Sequence, residues 1–259
     1  MSEKKPSLWL SVYSYIVYGF IYAPILILII FSFNTQKLNI RWEGFTLHWY
    51  EVLFNDARIF LATRNTIIIA VISTLIATII GTMAALAMHR YRFPFYNTSE
   101  TVMYIPIVIP EVVMGISLLV FFVMIKFTLG LTTITLSHIA FNIPFVALVV
   151  RARLHGYDKA IDEAAMDLGA NELITFRRVM LPTIMPGVVS GAMLALTLSL
   201  DDYVITYFTA GPGSTTLPLR VFSMVKTAVT PEVNALSTIW VLVIFVLLVI
   251  GQIAQRKKV

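Results

Sequence analysis

Residues 64–88 read RNTIIIAVISTLIATIIGTMAALAM, and no charged side chain occurs between Arg64 and Arg90. A helix of about 20 mostly apolar residues crosses the hydrocarbon core of a bilayer. Other stretches share this character, and together they cover approximately residues 9–33, 64–88, 100–125, 131–150, 184–209 and 233–254. The pattern predicts an all-α polytopic membrane protein with six transmembrane helices, folded as a single transmembrane domain over residues 1–259.

The composition excludes an ordinary soluble protein. Of the 259 residues, 58% are hydrophobic and 13% are charged, whereas soluble domains carry about 45–50% apolar and about 25% charged residues. The absence of cysteine excludes disulfides, a thiol nucleophile and a thiolate metal site. Lys4 and Lys5 precede the first apolar stretch as in a signal peptide. Because that stretch is too long and lacks a small-x-small exit, we expect an uncleaved anchor.

The basic residues indicate an orientation in the membrane. With a cytoplasmic N-terminus, twelve of the 19 lysines and arginines fall in inside segments and seven in outside segments. Because cytoplasmic loops carry an excess of these residues, we expect both termini in the cytoplasm. The same bias explains the net charge of +5 better than nucleic-acid binding does.

Two adjacent carboxylates, Asp201 and Asp202, lie in the fifth apolar stretch. An ionisable group in a membrane span costs about 2.5–3.5 kcal/mol on insertion scales and marks a functional site by default. Two anions in one site repel each other unless a cation arrives. The pair therefore predicts a pathway for a positively charged solute.

A polar stripe runs along the same stretch, because side chains spaced by three or four residues share one face of a helix: Ser199, Asp202, Thr206 and Thr209. Tyr203 and Tyr207 lie beside the stripe, and Asp201 points about 100° away from it. We expect this stripe to form the wall of the pathway, with Asp202 facing the solute. The alternative is that Asp202 caps a break in the helix or pairs with a structural arginine.

The third apolar stretch combines an acidic residue with helix breakers. Pro106 and Pro110 bend a helix because proline removes a backbone hydrogen bond, and broken membrane helices are tolerated where they line a cavity. Glu111 follows at about 16 Å from the cytoplasmic end of the stretch, close to mid-membrane. It is either a further acid of the cation pathway or a protonated or hydrogen-bonded structural carboxyl.

Small residues recur at four-residue steps in two of the stretches, at Ser73, Ala77, Gly81 and Ala85 and at Gly187, Gly191 and Ala195. Such rows let helix backbones approach closely in a bilayer. They predict tight packing within the chain or, alternatively, contact with another subunit.

A polar segment with helical periodicity, residues 151–183, separates the fourth and fifth stretches. Four of its residues would share one small apolar face: Ile161, Ala164, Ala165 and Leu168. Asp158 is placed to cap the start of this helix, and Gly169 is placed to end it in a left-handed turn. Asn171 would cap a second short helix that runs to Leu181. A face built largely from alanine suits insertion into a partner's groove, although the helix could instead lie on its own bundle.

The same segment resembles the EAA loop of ATP-binding-cassette (ABC) importer permeases. The spacing of that motif is reproduced by Glu163-Ala164-Ala165, three residues, Gly169, nine residues, Val179, one residue and Leu181-Pro182. Valine in place of isoleucine is the one departure. Four further segments are similar to the spermidine/putrescine permeases of this class: His89–Phe93, Pro110-Glu111, Leu198–Asp202 and Pro231–Leu236. The resemblance therefore extends over nearly the whole chain.

The resemblance implies the permease fold of a type I (MetI-like) ABC importer in a bacterial cytoplasmic (inner) membrane. It implies that the EAA loop forms a coupling helix that docks on a cytoplasmic ATPase. The residues that it assigns to coupling are Glu163, Ala164, Ala165, Gly169 and Glu172. A second permease subunit, two copies of the ATPase subunit and an extracytoplasmic polyamine-binding protein would complete the transporter. ATP and magnesium would bind to the ATPase.

For a polyamine, carboxylates supply charge to meet the ammonium groups, and aromatic faces supply cation–π attraction. The residues expected along the substrate pathway are Asp201, Asp202, Glu111, Tyr203, Tyr207 and Thr206. The chain has no Gly-Lys pair, hence no Walker A loop, and its four histidines lack metal-ligand spacing. His138 and Asn142, one turn apart, are expected to be interior hydrogen-bonding residues. We therefore expect a transport subunit with no catalytic site, metal or cofactor of its own.

The sequence leaves two alternative functions: a permease for another solute, such as Fe(III), thiamine or an oxyanion, and an ATPase-independent cation transporter or channel. The acids of the fifth stretch would repel an oxyanion. A secondary transporter needs no EAA loop, and the absence of a clear inverted repeat gives it little support. A membrane enzyme would need a convergent set of nucleophile, base and metal ligands, which the sequence lacks.

Overall fold

A computed structural model of the chain describes residues 8–37 and 39–256. Lys4, Lys5, Lys257 and Lys258, which enter the predicted orientation, lie outside the described residues. The helices are α1 (Leu8–Phe31), α2 (His48–Asn55), α3 (Ala57–Arg90), α4 (Tyr96–Val108), α5 (Glu111–Met124), α6 (Leu131–Leu154), α7 (Ala160–Asp167), α8 (Glu172–Thr175), α9 (Leu181–Asp201), α10 (Val204–Thr209), α11 (Leu217–Thr227) and α12 (Pro231–Arg256). A π-helix, Phe176–Met180, joins α8 to α9. The only strand-like pairing among the described residues is an isolated bridge, so the predicted all-α class is confirmed.

The chain divides into two compact units. The first contains residues 1–57 and 221–243, and the second contains residues 58–220 and 244–259. In the first unit, α1 is predominantly apolar, carries no charged side chain and has no buried residue, as expected for a helix that meets lipid or other subunits. The loop after it is held by Asn34, whose side chain donates to the Arg41 carbonyl at 2.8 Å and accepts from the Glu43 amide at 3.0 Å.

The second unit has its core where α6 packs against α3 and α9. The core residues are mostly small or β-branched: Ala85, Val146, Ala147, Val150, Leu154, Tyr157, Met180, Ile184 and Ala195. Gly81 and Gly191 are needed for this packing, because a Cβ on Gly81 would lie 2.8 Å from Val146 and one on Gly191 would lie 3.2 Å from it. The rows of small residues therefore serve packing within the chain, the first of the two alternatives.

Five helices among the described residues are long and apolar enough to cross a membrane: α1, α3, α6, the run through α9, and α12. Where residues 100–125 predict one span, the structure has α4 and α5, which meet at 109°. The break falls at Ile109, which is extended, and Pro110, because the residue before a proline is pushed out of the helical region. The two helices together supply a sixth crossing if the pair is one span.

The second short helix of the polar segment does not end at Leu181 as predicted. The Leu181 amide donates to the Phe176 carbonyl, a π-type bond to the fifth preceding residue. Pro182, which lacks an N–H, follows this wide turn and lies in the first turn of α9, where proline is tolerated. The helix therefore runs on through the proline toward Asp201.

The glycines and prolines of residues 210–232 predict an irregular loop, and this prediction is wrong for the central part. Residues Leu217–Thr227 form α11. Pro218 is the second residue of that helix, and a proline in the first turn leaves no backbone bond broken. Irregular chain remains on both sides of it, at residues 210–216, where Gly213 has a positive φ of 76°, and at residues 228–230.

Candidate functional site

A small cavity in the second unit is lined by the carboxylates of Glu111 and Asp201. Its volume is about 210 Å³, and Phe141, Thr197, Asp202 and Tyr203 also line it. Glu111 is the first residue of α5 and is exposed there, where the positive end of the helix dipole favours an anion. Asp201 is the last residue of α9 and is also exposed. The two helix breaks thus bring two acids from distant parts of the sequence to one opening.

Asp202 behaves differently from its neighbour, because its side chain is only 5% exposed. It ends α9 in an extended conformation and caps α10. One carboxylate oxygen accepts from the Thr206 amide at 2.7 Å and from the Thr206 hydroxyl at 2.6 Å, and the other accepts from the Ile205 amide at 3.3 Å. The local break therefore turns the carboxylate of Asp202 inward as a cap at the edge of the cavity, while Asp201 is exposed there.

His138 of α6 completes this buried cluster. Its Nε2 lies 3.2 Å from Asp202 Oδ2 and 2.9 Å from Thr206 Oγ1, and its Nδ1 lies 2.6 Å from Ser199 Oγ. The Ser199 hydroxyl in turn lies 3.0 Å from that of Ser73 on α3. We call these five residues (Ser73, His138, Ser199, Asp202 and Thr206) the buried polar cluster. It connects four helices of the unit, α3, α6, α9 and α10.

The polar stripe predicted from the sequence exists, but it faces the interior of the chain. Ser199, Thr206 and Thr209 are buried, and Thr209 offers its carbonyl to the Thr133 hydroxyl of α6 at 2.7 Å. The sequence pattern marked His138 as an interior hydrogen-bonding residue, and the structure places it so. The contact between His138 and Asp202 could not be predicted from residue spacing, because the two residues are 64 positions apart and do not share a helix. Asn142, by contrast, is fully buried, and neither its amide nitrogen nor its oxygen has a hydrogen-bond partner among the described residues.

Two tyrosines extend the cavity wall along α10. The rings of Tyr203 and Tyr207 have centroids 5.7 Å apart and are tilted by 36°. Tyr207 is 58% exposed, and its ring also meets Phe208 edge-on at 5.4 Å. Two acids beside open aromatic faces form a site of the kind that attracts an organic cation.

The second group of predicted functional residues lies at the opposite end of α9. Here α7 begins after Asp158, whose carboxylate accepts from the Ala160 amide at 2.9 Å, and Gly169 follows α7 with a φ of +91°. Asn171 caps α8 by accepting from the Ile174 amide at 2.9 Å. The predicted capping residues are therefore confirmed.

The apolar face of α7 is left uncovered. Leu168 is 90% exposed, and Ile161 is 46% exposed. Glu163 and Ala164 are exposed as well, and Ala165 is half-buried. The helix does not lie with this face on its own bundle, so the face is free to meet another protein.

Polar contacts attach this segment to the helices beside it. The Tyr157 hydroxyl donates to the carboxylate of Asp162, which is the buried side of α7. Burial, and then this hydrogen bond, raise the pKa of Tyr157 above its ordinary value. Arg90 at the end of α3 lies 3.7 Å from Glu172 of α8. The orientation of α7 is thus fixed on one face while the other remains open.

An ion pair that sequence reasoning missed joins α4 to α6 close to this segment. Arg151 donates to Glu100 and, at 3.3 Å, to the Tyr104 hydroxyl. The guanidinium also lies 6.0 Å from the centre of the Tyr104 ring. Periodicity does not pair residues 51 positions apart, although an arginine and a glutamate at the ends of apolar stretches are a weak signal.

A single helix connects the cavity to residues 151–183, which we call the coupling segment after the role that the EAA-loop resemblance implies. With 21 residues, α9 is about 30 Å long, and it starts at the π-helix and ends at Asp201. Among the described residues, no group of three or more His, Cys, Asp or Glu side chains is placed to hold a metal ion.

Comparison with known proteins identifies the family of the chain. Residues 77–257 match the family described as binding-protein-dependent transport system inner membrane component. The chain is 40% identical over 248 residues to the spermidine/putrescine transport system permease protein PotC of Haemophilus influenzae, with 96% of each chain covered. It is 42% identical over 238 residues to the putrescine transport system permease protein PotI of Escherichia coli K12, with 89% of this chain and 85% of that protein covered.

The fold is also similar to that of a chain in a bacterial ABC transporter involved in the import of the acidic polysaccharide alginate. The TM-score is 0.77 at 17% sequence identity, and the match covers 96% of this chain and 95% of that chain. At this identity the likeness concerns the fold alone. The fold predicted from the EAA-loop resemblance is confirmed.

Proposed function

The chain belongs to the family of binding-protein-dependent transport system inner membrane components, and we propose that the solute it conducts is a polyamine. It is a transmembrane permease subunit of an ABC importer and carries no catalytic site, since ATP hydrolysis belongs to a separate ATPase. The observation that carries the substrate proposal is the cavity in which Glu111 and Asp201 meet beside Tyr203. The relatives named for spermidine and putrescine support it.

The cavity has the chemistry for a flexible chain of ammonium groups. Glu111 and Asp201 supply the negative charge, and Tyr203 and Tyr207 supply faces for cation–π contact, worth about 0.5–2 kcal/mol each. A transit site has to release its occupant, so weak contacts at several points suit it better than one tight site. High affinity would then belong to the extracytoplasmic binding protein.

Asp202 and Thr206 have a positioning role in this proposal. They hold the break between α9 and α10 through the buried polar cluster, and this break aims Asp201 and Tyr203 at the cavity. The solute would meet the carboxylate of Asp201 directly, while Asp202 borders the same cavity with a side chain that is only 5% exposed.

The coupling segment supplies the mechanical input. We assign Glu163, Ala164, Ala165 and Gly169 to contact with the ATPase, because the face that they form with Leu168 is open. Glu172 would hold this segment to α3 through Arg90. Closure of the ATPase dimer on ATP and magnesium would move α7, and α9 would carry that movement to the break at Asp201.

Proteins of this family work with a partner permease, an ATPase and a periplasmic binding protein. For this chain we propose partners of the polyamine type: a second permease, two ATPase copies and a polyamine-binding protein. We also propose that both termini and α7 face the cytoplasm, as the distribution of lysine and arginine favours.

Uptake of radiolabelled spermidine and putrescine by cells that express the complete transporter tests the substrate. We expect Asp201→Asn and Glu111→Gln each to reduce uptake at least tenfold, while the amount of assembled complex stays unchanged. Glu51→Gln, on an exposed carboxylate of α2, is the matched control and should have no effect. If the Asp201→Asn, Glu111→Gln double variant transports polyamine at the normal rate, the proposed pathway is wrong.

Competition with other solutes tests the alternative within the class. Unlabelled thiamine or Fe(III) should leave polyamine uptake unaffected, whereas an excess of unlabelled putrescine should abolish it. Strong competition by a solute without ammonium groups would refute the charge-based proposal.

A further inference from the structure

The structure contains a second cavity, far along α3 from the pathway residues, that the transport function does not use. It lies between the end of α3 and the π-helix and has a volume of about 230 Å³. Its walls are mostly apolar: Met83, Leu86, Ala87, Tyr91, Phe176 and Met180. His89 and Arg90 are the polar residues of its lining. We propose that this cavity binds an anionic phospholipid, with part of an acyl chain inside it and the phosphate at His89 and Arg90.

The size of the cavity favours one end of a larger molecule. Sites that enclose a whole small ligand have volumes of about 300–1,000 Å³, and this cavity is smaller. Met83 and Tyr91 on its lining are 64% and 58% exposed, respectively, so the cavity opens on the outer surface of a membrane-spanning helix. In a bilayer, that surface is where lipid chains are available.

The polar groups specify a negatively charged headgroup. The Nε2 atom of His89 is enclosed and has no hydrogen-bond partner among the described residues. Arg90 has a side chain that is 35% exposed, and its nearest carboxylate is that of Glu172 at 3.7 Å, which is too long for a hydrogen bond. A phosphate between His89 and Arg90 would satisfy both. Basic pockets at the cytoplasmic ends of membrane helices bind anionic headgroups for the same reason.

The surrounding charge is positive on balance. Lys159 and Arg151 act on His89 with positive charge, together with His155, and Asp162 is the opposing acid. Arg151 is held by Glu100, and Asp162 accepts the Tyr157 hydroxyl. Arg90 and Lys159 therefore remain to attract an anion from the headgroup layer.

The position of the cavity gives the lipid an effect on coupling. Phe176 and Met180 belong to the π-helix that joins the coupling segment to α9, and π-helices are common at functional sites. An acyl chain against these two side chains would hold the π-helix in this conformation. A phosphate at Arg90 would compete with Glu172 for the same guanidinium.

The test measures how much phosphatidylglycerol stays bound when the full chain is purified from membranes that contain both phosphatidylglycerol and phosphatidylcholine, with native mass spectrometry as the readout. Wild type should retain phosphatidylglycerol in preference to phosphatidylcholine. Arg90→Gln should reduce that preference about fivefold, because this factor corresponds to the attraction between one basic residue and an anionic membrane surface. Ala87→Phe, which fills the cavity without a change of charge, should abolish retention. Glu172→Gln removes the competing carboxylate and should increase it.

Two matched controls separate a built site from general surface charge. Arg178→Gln alters an exposed arginine of the π-helix that does not line the cavity, and Ala57→Phe alters an exposed alanine at the other end of α3. Both should behave as wild type. The proposal is overturned if Arg178→Gln lowers retention as much as Arg90→Gln, or if inorganic phosphate alone displaces the bound lipid. It is also overturned if association with the ATPase expels the lipid, since a protein segment would then be the occupant.

Discussion

Replacement of His138 by leucine tests whether the buried polar cluster holds the break between α9 and α10. The substitution removes an imidazole that is 3% exposed and contacts Asp202, Thr206 and Ser199. It leaves the Asp202 carboxylate buried with one partner fewer. Removal of one member of a buried pair costs about 3–5 kcal/mol. For a chain of this length, each kcal/mol lowers the melting temperature by about 2–4 °C, so we expect a loss of about 6 °C or more.

A double-mutant cycle isolates the interaction. Asp202→Leu alone also destabilises, because it removes the cap of α10. In the combined variant no uncompensated charge remains, so its total cost should fall below the sum of the single costs by about 2 kcal/mol. Thermal unfolding of the purified chain in detergent provides all three values. Additive costs, within about 0.5 kcal/mol, would show that the two side chains do not act as a unit.

Asn142 provides the matched control, because it lies one turn along α6 from His138 and is equally buried. Its amide has no hydrogen-bond partner among the described residues. A buried polar group without a partner costs about 1–3 kcal/mol. Asn142→Leu should therefore raise the melting temperature by a few degrees. If Asn142→Leu lowers the melting temperature as much as His138→Leu does, replacement of any polar residue of α6 by leucine is destabilising. The contacts of His138 in the buried polar cluster would then not explain its effect.

Three further outcomes are expected. Leu168→Asp should leave thermal stability unchanged but prevent copurification with the ATPase, because the leucine is 90% exposed on α7; normal copurification would contradict the assignment of this face. Burial and the hydrogen bond to Asp162 raise the pKa of Tyr157 in the folded chain. The stability that this residue contributes is therefore complete below about pH 10, the pKa of tyrosine in the unfolded chain. It is lost as the pH rises toward the higher pKa of the folded chain. The melting temperature of wild type should therefore fall more steeply above pH 10 than that of Tyr157→Phe, and parallel curves would contradict this. Gly191→Leu should destabilise by about 1–3 kcal/mol in the same melting assay, since Val146 leaves no room for the side chain, and an unchanged melting temperature would show that α6 and α9 are not packed as described.

The parts of the structure that were predicted correctly are those governed by local rules. Asp158, Gly169 and Asn171 are turn and cap residues whose partners lie within a few positions, so the chain itself specifies the contact. The rows of small residues also predicted the close helix packing at Gly81 and Gly191, because a larger side chain at either position would collide with the neighbouring helix.

The parts that were missed depend on contacts between distant residues or on unusual backbone. The π-helix allows α9 to start before Pro182, and no pattern in the sequence announces a shift to a bond with the fifth preceding residue. The ion pair of Arg151 with Glu100 joins residues on separate helices. The pathway shows the same limit: a helical wheel puts Asp202 on the polar face, but only the structure reveals that α6 covers that face with His138.

Adjacency explains why the two aspartates have opposite roles. A helix that ends within a membrane leaves backbone amides without partners, and each costs several kcal/mol in hydrocarbon. Asp202 satisfies the first amides of α10, and this requires it to turn inward. Successive residues at such a break point in different directions, so the capping of one aspartate directs the other, Asp201, toward the cavity. A change that removes the cap should therefore impair transport by displacing Asp201, and Asp202→Leu should lower the uptake rate and thermal stability together. Asp201→Asn should lower uptake alone, and if it proves the more destabilising of the two, the division of roles is wrong.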